Sequence, residues 1–224
     1  MNTIIIIPAR KGSKGIPGKN KKELAGKPLI QYTIEVALQI FPPEKIYLST
    51  DDPDIIKIGV QNGLNQTNLR PSALSTDTTS ARELLLYEIS KLDMDVETIV
   101  YLQPTSPLRQ THHVIEAMDL YDSKETEMVV SVSSTKSNPY YNLFEENKEG
   151  FLSLSKKSNT TSRQDVPDVF KYNGAIYIIN YEKLKSSELN EFKRIKKYVM
   201  TRESSIDIYD YLDWIMEETL IINS

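Results

Sequence analysis

The sequence predicts an α/β protein, a mostly parallel central sheet with helices on both faces. Three observations carry this. Residues 4–7 are four consecutive isoleucines, the continuous β-branched run of a strand buried on both faces. Strand-like and helix-like segments then alternate through about the first 130 residues, as in chained βαβ units with right-handed crossovers. After a polar interruption the strand pattern returns at 174–179 (GAIYII).

The elements follow in order. Residues 28–39 (PLIQYTIEVALQ) put Leu29, Ile30, Thr33, Ile34, Ala37 and Leu38 on one helical face, and Pro28 suits a first helical turn. A second strand is expected at 45–49, then a helix at 53–63 closed by Asn62-Gly63. Residues 79–92 read as an amphipathic helix, 98–102 as a strand, 111–121 as a helix and 128–132 as a strand. Residues 133–167 are rich in Ser, Asn and Lys, with weak strand signals at 140–144 and 151–154. This stretch reads as an excursion from the sheet: a hairpin, a lid or an oligomerisation arm. The end, 205–214 and onward, reads as a short strand followed by a C-terminal helix. No repeat, coiled coil or low-complexity tract interrupts the chain. One domain over 1–224, with 133–167 inserted in it, is the expected organisation.

Composition narrows the function. A hydrophobic share of 39% supplies a core, and the net charge of −4 excludes a general nucleic-acid binder, which needs a broad basic surface. Without cysteine there is no disulfide, thiolate nucleophile or Cys-based metal site. No apolar run approaches the ~20 residues of a membrane helix, and the N-terminus lacks a signal-peptide pattern. A cytoplasmic protein is expected.

Against this acidic background the cations of the first loop are a local feature. Arg10, Lys11, Lys14 and Lys19 stand among Gly12, Gly15 and Gly18, directly after the isoleucine strand. Glycines let backbone N–H groups turn to one point, and cations around that point suit a polyanion such as a nucleoside triphosphate. The spacing is not GxxxxGK[ST], so an ordinary P-loop is excluded. Residues 103–109 (QPTSPLR) leave the third strand at the same carboxyl edge. Two prolines stiffen them, so Gln103, Thr105, Ser106 and Arg109 are held for a ligand or for capping the next helix. Asp207, Asp210 and Asp213 lie near a strand-to-helix turn. Asp207 reads as a Mg²⁺ ligand and Asp213 as a helix-start carboxylate. Arg163, Lys171, Tyr172 and Asn173 precede GAIYII and could meet an acidic substrate. His112 and His113 are adjacent and lack metal-pair spacing, which leaves them structural. Trp214 reads as packing.

Several strings then occur in order: IPARKGSKGIPGKN at 7–20, STD at 49–51, RPSALSTDTTS at 70–80, LQPTSPLR at 102–109, SRQ at 162–164, NGAIYI at 173–178 and SIDIYDYLDW at 205–214. Together they resemble the bacterial acylneuraminate cytidylyltransferases over nearly the whole chain. The resemblance implies a fold of the nucleotide-diphospho-sugar transferase type, a homodimer, and transfer of CMP from CTP to a nine-carbon 2-keto acid sugar with Mg²⁺ (or Mn²⁺) and release of pyrophosphate. It implies nucleotide contacts by Arg10, Ser13, Asn20, Arg70 and Ser80, with Arg10, Lys19 and Asp207 catalytic. Gln103, Thr105, Arg163, Lys171 and Tyr177 fall where the family holds the sugar, and Asp207 falls on a metal ligand. Segment 133–167 corresponds to its dimerisation excursion.

Two departures stand out. The family's metal site reads D-I-D-T, whereas here it is Asp207-Ile208-Tyr209-Asp210. A protonated phenol is a poor Mg²⁺ ligand, which leaves Asp210 or water for the second position. Lys171-Tyr172 replaces Arg-Pro before NGAIY, and a lysine lacks the bidentate fork of arginine. Legionaminic or pseudaminic acid is therefore an alternative acceptor, and a non-catalytic nucleotide binder is the alternative class.

Overall fold

The structure, a computed structural model, describes residues 2–66, 68–157 and 163–223, with side chains for all of these but Arg163. Strand β1 is Thr3–Pro8, and a two-residue-stranded hairpin, β2 (Glu23–Leu24) and β3 (Lys27–Pro28), leads into α1 (Leu29–Leu38). Then come β4 (Ile46–Ser49), α2 (Pro53–Gln61), α3 (Ala81–Ser90), β5 (Thr98–Tyr101), α4 (Thr111–Asp119) and β6 (Met128–Ser134). An outlying hairpin of β7 (Phe144–Glu146) and β8 (Leu152–Leu154) precedes β9 (Phe170–Asn180), α5 (Tyr181–Ser186), β10 (Ile195–Val199) and α6 (Tyr211–Ile222).

Six strands form one sheet in the order β10-β6-β9-β5-β1-β4. β1 pairs parallel with β4 and β5, and β10 parallel with β6. The isoleucine run serves both faces because successive side chains alternate. Ile5 and Ile7 pack with Ile30, Ile34, Ile55 and Val114 on one side, and Ile4 and Ile6 with Leu84, Leu85, Ile89 and Leu184 on the other.

β9 departs from a purely parallel sheet. It runs antiparallel to both β5 and β6, with Tyr101 opposite Tyr177 and Val129 opposite Ile178. A parallel return needs a crossover that traverses a sheet face. Among its described residues the excursion after β6 supplies a hairpin and a 3-10 turn but no helix to cross a face, so the chain re-enters from the edge at which it left. Two more expectations are corrected and two elements were missed. Pro28 precedes α1 as its N-cap rather than opening it. The stretch after Ser205 forms no strand: Glu203–Ser205 is a 3-10 turn, and Ile208 N–H donates once, to Thr105 O at 2.8 Å. β10 (IKKYV) escapes the pattern because its two lysines mark a polar edge strand. Helix α5 is only six residues long, too short for periodicity.

Arg109 is fully buried, with no acidic partner among the described residues. Its Nη1 donates to Gln103 O and Ala175 O, both at 2.9 Å, and Nη2 to Thr33 Oγ1 at 2.6 Å. Burial pulls its pKa down to about 9. It therefore braces the β5 exit against β9 and α1. Arg109→Leu strands three buried acceptors, and chemical denaturation should show a loss on the order of 2–4 kcal/mol. A variant as stable as the parent would deny the brace.

Candidate active site

The parallel strands β1, β4 and β5 deliver the first loop, the STD turn and the QPTSPLR segment to one edge of the sheet, where α/β folds bind ligands. Because β9 runs the opposite way, its beginning, rather than its end, reaches that edge. A cavity of about 420 Å³ opens there. Its wall includes Arg10, Ser13, Lys14, Lys19 and Asn20 from the first loop, Arg70, Asp77 and Ser80 from 70–80, Tyr101, Gln103 and Thr105 from β5 and its exit, and Tyr209. Of the expected nucleotide and catalytic residues, only Asp207 lies outside this lining.

The first loop is fixed from within. Gly18 adopts φ +64° before a 3-10 turn at Lys19–Lys21, and Asn20 Nδ2 donates to Arg10 O at 3.2 Å. Lys19 Nζ donates to Ile208 O. Burial lowers the Lys19 pKa, while Asp207 and Asp213 oppose that shift. Ile208 is thus held from two sides, by Lys19 and by Thr105 O. The C-terminal segment is threaded between the first loop and the β5 exit.

Gly174, on a β-bulge where the β6–β9 register shifts, has φ +76°. A Cβ placed there would lie 3.0 Å from Gln103 Oε1 and 3.6 Å from Asp207 Oδ2. So Gln103 and Asp207 converge on the space a side chain would fill. Buried Asn173 holds the bulge: its Oδ1 accepts from Ala175 N–H at 3.2 Å and from Ser131 Oγ at 2.5 Å, and its Nδ2 donates to Ser205 Oγ at 2.9 Å. The NG pair was legible as a motif, but the bulge was not. Tyr177 meets Tyr101 edge-on at 5.9 Å and Tyr172 at 6.4 Å, and burial, with help from Asp207, pushes its phenol up to about 12.

Arg70 is buried against hydroxyls. Its Nη1 donates to Ser49 Oγ at 3.3 Å and its Nε to Ser75 Oγ at 3.1 Å. Ser49 Oγ in turn donates to Glu88 Oε1 at 2.6 Å. Burial lowers the Arg70 pKa. Ser80 accepts Glu83 N–H at 3.1 Å and completes a capping box at α3, so its backbone and hydroxyl reach the cavity from a helix start. Asp210 Oδ1 accepts from Leu212 and Asp213 N–H at 2.9 and 3.2 Å as the N-cap of α6, and Asp213 Oδ2 answers Tyr209 and Asp210 N–H. Lys171 is exposed on β9 beside Ser133 of β6. The Arg163 side chain lies outside the described residues. His113 is spent on capping, its Nδ1 accepting Gln110 N–H at 3.0 Å, and burial brings it to about 4.

Glu217 was not anticipated. It is fully buried on α6, and neither carboxyl oxygen has a hydrogen-bond partner among the described residues. Burial, reinforced by Asp213 and Asp207, raises it to about 8. A carboxyl whose folded value exceeds its usual 4.5 costs least below that pH, and destabilises the fold progressively as pH rises toward about 8. Glu217→Gln should therefore match the parent near pH 4.5 and exceed it by on the order of 5 kcal/mol above pH 8. Denaturation midpoints at the two pH values provide the check, and a pH-independent difference would contradict it.

A family model described as "Cytidylyltransferase" matches residues 4–219, and the chain belongs to that family. It is 35% identical over 217 residues to the N-acylneuraminate cytidylyltransferase of Streptococcus agalactiae serotype III, covering 96% of this chain and 52% of that protein. It is 33% identical over 226 residues to the CMP-N,N'-diacetyllegionaminic acid synthase of Legionella pneumophila, covering 99% and 97%. The chain thus spans about half the length of the streptococcal relative and nearly all of the Legionella one. Its fold matches a CTP complex of CMP:2-keto-3-deoxy-manno-octonic acid synthetase with a TM-score of 0.75 at 18% identity, covering 100% and 99%.

Proposed function

We propose that the chain transfers CMP from CTP to the anomeric hydroxyl of N-acetylneuraminic acid, giving CMP-sialic acid and pyrophosphate. The observation that carries this is that, in a cytidylyltransferase, the cationic glycine loop lines one cavity with Gln103, which converges with Asp207 beside Gly174. Arg10, Ser13 and Asn20 hold the triphosphate, with Arg70 and Ser80 on the nucleoside side. Lys19 stabilises charge developing at the α-phosphate. Gln103, Thr105 and Tyr177 seat the sugar in line with the departing pyrophosphate, and Lys171 and Arg163 meet its carboxylate.

The residues fit a hard cation. The Asp207 carboxylate accepts no hydrogen bond among the described residues and faces the Gly174 cradle, which suits oxygen-seeking Mg²⁺ or Mn²⁺. Among the described residues no group of three or more His, Cys, Asp or Glu gathers to hold a metal. Asp207, with the free oxygen of Asp210, would then share the ion with phosphate oxygens and water. When bound, the ion neutralises phosphate charge and lowers the pKa of a bound hydroxyl. No side chain stands out as general base besides Asp207.

The partner we assign is a second copy. The hairpin exposes Phe144 (53%), Phe151 (67%) and Leu152 (68%), an apolar tip for a protomer to cover. Phe151→Asp with Leu152→Asp should give a monomer by light scattering; an unchanged mass would remove the arm from the interface. No helix among the described residues is long and apolar enough to cross a membrane, and we place the enzyme in the cytoplasm, where CTP is made.

The full-length match to the Legionella relative favours a second reading, a legionaminic acid acceptor. Pyrophosphate release from CTP across a panel of neuraminic, legionaminic and pseudaminic acids decides between them. CTP binding without turnover on any sugar would leave only a nucleotide binder.

A further inference from the structure

Asp77 bridges two cations of the first loop. Its Oδ1 lies 2.5 Å from Arg10 Nη1 and its Oδ2 2.8 Å from Lys14 Nζ. Both carboxylate oxygens are engaged, and all three residues line the cavity. Asp77 has no other hydrogen bond or ion pair among the described residues. Its segment is anchored on either side. Arg70 Nε holds Ser75, and the Thr76 hydroxyl lies 3.0 and 2.9 Å from those of Thr78 and Thr79. Ser80 then caps α3. The third first-loop cation lining the cavity, Lys19, is turned to Ile208 O. An internal carboxylate therefore occupies two cations of the loop, among them Arg10, which the proposed reaction turns to phosphate.

We infer that Asp77 is the counter-anion of the triphosphate site: it pairs with Arg10 and Lys14 when the site is empty, is displaced by the phosphates of the nucleotide, and re-pairs as pyrophosphate leaves. This rests on the phosphate-site reading above. The strength of the contact suits exchange. The Arg10, Lys14 and Asp77 side chains are 33%, 73% and 43% exposed, and ion pairs so exposed hold weakly. A polyphosphate brings several charges and more oxygens to the same cations, in charge-assisted hydrogen bonds. Once displaced, the carboxylate stands beside the phosphates as a like charge, which favours their dissociation. Hydrogen bonds from Lys14 and Arg10 hold Asp77 below the usual carboxylate range, so it is charged at neutral pH.

This role and a purely supporting one predict opposite signs. If Asp77 competes with phosphate, Asp77→Asn binds polyphosphate more tightly; if it only orients Arg10 and Lys14, the variant binds more weakly. Calorimetry of the full chain with inorganic tripolyphosphate and pyrophosphate reads this without any sugar. We expect affinities about three- to tenfold higher in Asp77→Asn, and a gap that narrows as salt is raised. In turnover, KM for CTP falls and inhibition by pyrophosphate strengthens by a similar factor. Asp77→Ser serves as a second variant, and melting curves confirm that both are folded. Equal or weaker binding in folded variants overturns the inference. Failure of the parent chain itself to bind tripolyphosphate would instead bring down the phosphate-site reading, and this inference with it.

Discussion

Lys19→Ala lowers turnover about 10³-fold or more while the melting temperature stays near that of the parent. The magnitude follows from the role proposed for Lys19, a fixed cation aimed at charge that develops only in the transition state. The Lys19 ammonium is half-buried, and burial works against its charge. Asp207 and Asp213 work for it, and Ile208 O accepts a hydrogen bond from it. The lysine is thus held in place and desolvated before substrate arrives, so little reorganisation remains for the reaction itself. Single-turnover rates with saturating CTP, measured on parent and variant, check this. A variant within tenfold of the parent would take Lys19 out of the chemical step. A rise in KM alone, with kcat intact, would make it a ground-state phosphate ligand.

Part of this arrangement was legible in the sequence and part was not, and the division has a physical basis. β1, β4 and β5 are buried on both faces, so their composition alone marks them, and the loops that leave a parallel strand necessarily reach the carboxyl edge. The first loop and QPTSPLR could therefore be placed together without a structure. β9 carries the same apolar signature, yet direction is not written in composition. Its antiparallel course follows from what the described residues of the preceding excursion lack, a helix able to cross the sheet. That course brings Asn173 and Gly174 to the site. Arg109 could be recognised as fixed, but a buried guanidinium that donates to two carbonyls and a hydroxyl looks in sequence like any loop arginine. Glu217 gives no signal either, since a glutamate in a C-terminal helix normally faces water. Its burial arises because the same helix must place Trp214 against Ile16 and Ile208.

Gly15→Ala, a change of one methyl group, should cost about 1–3 kcal/mol of stability and reduce turnover on the order of 100-fold. A Cβ at Gly15 would stand 2.0 Å from Tyr209 O and 3.2 Å from Tyr209 C. Backbone atoms cannot swing aside as a flexible side chain can, so either the first loop or the Tyr209 segment must move. That segment is pinned by the Thr105 carbonyl and by Lys19 on Ile208, and by the α6 capping box on its other side. Any shift therefore displaces Asp207 from the Gly174 cradle or Lys19 from its aim, and the expected loss in rate exceeds the loss in stability. Gly12 supplies the control. It belongs to the same loop, but a Cβ there meets nothing within 4 Å, so Gly12→Ala should stay within about 0.5 kcal/mol of the parent in denaturation. In sequence the two glycines look alike, but only Gly15 touches the far end of the chain. Equal effects from the two substitutions would show that the loop needs glycine for its own conformation, and not to receive the segment that carries Asp207.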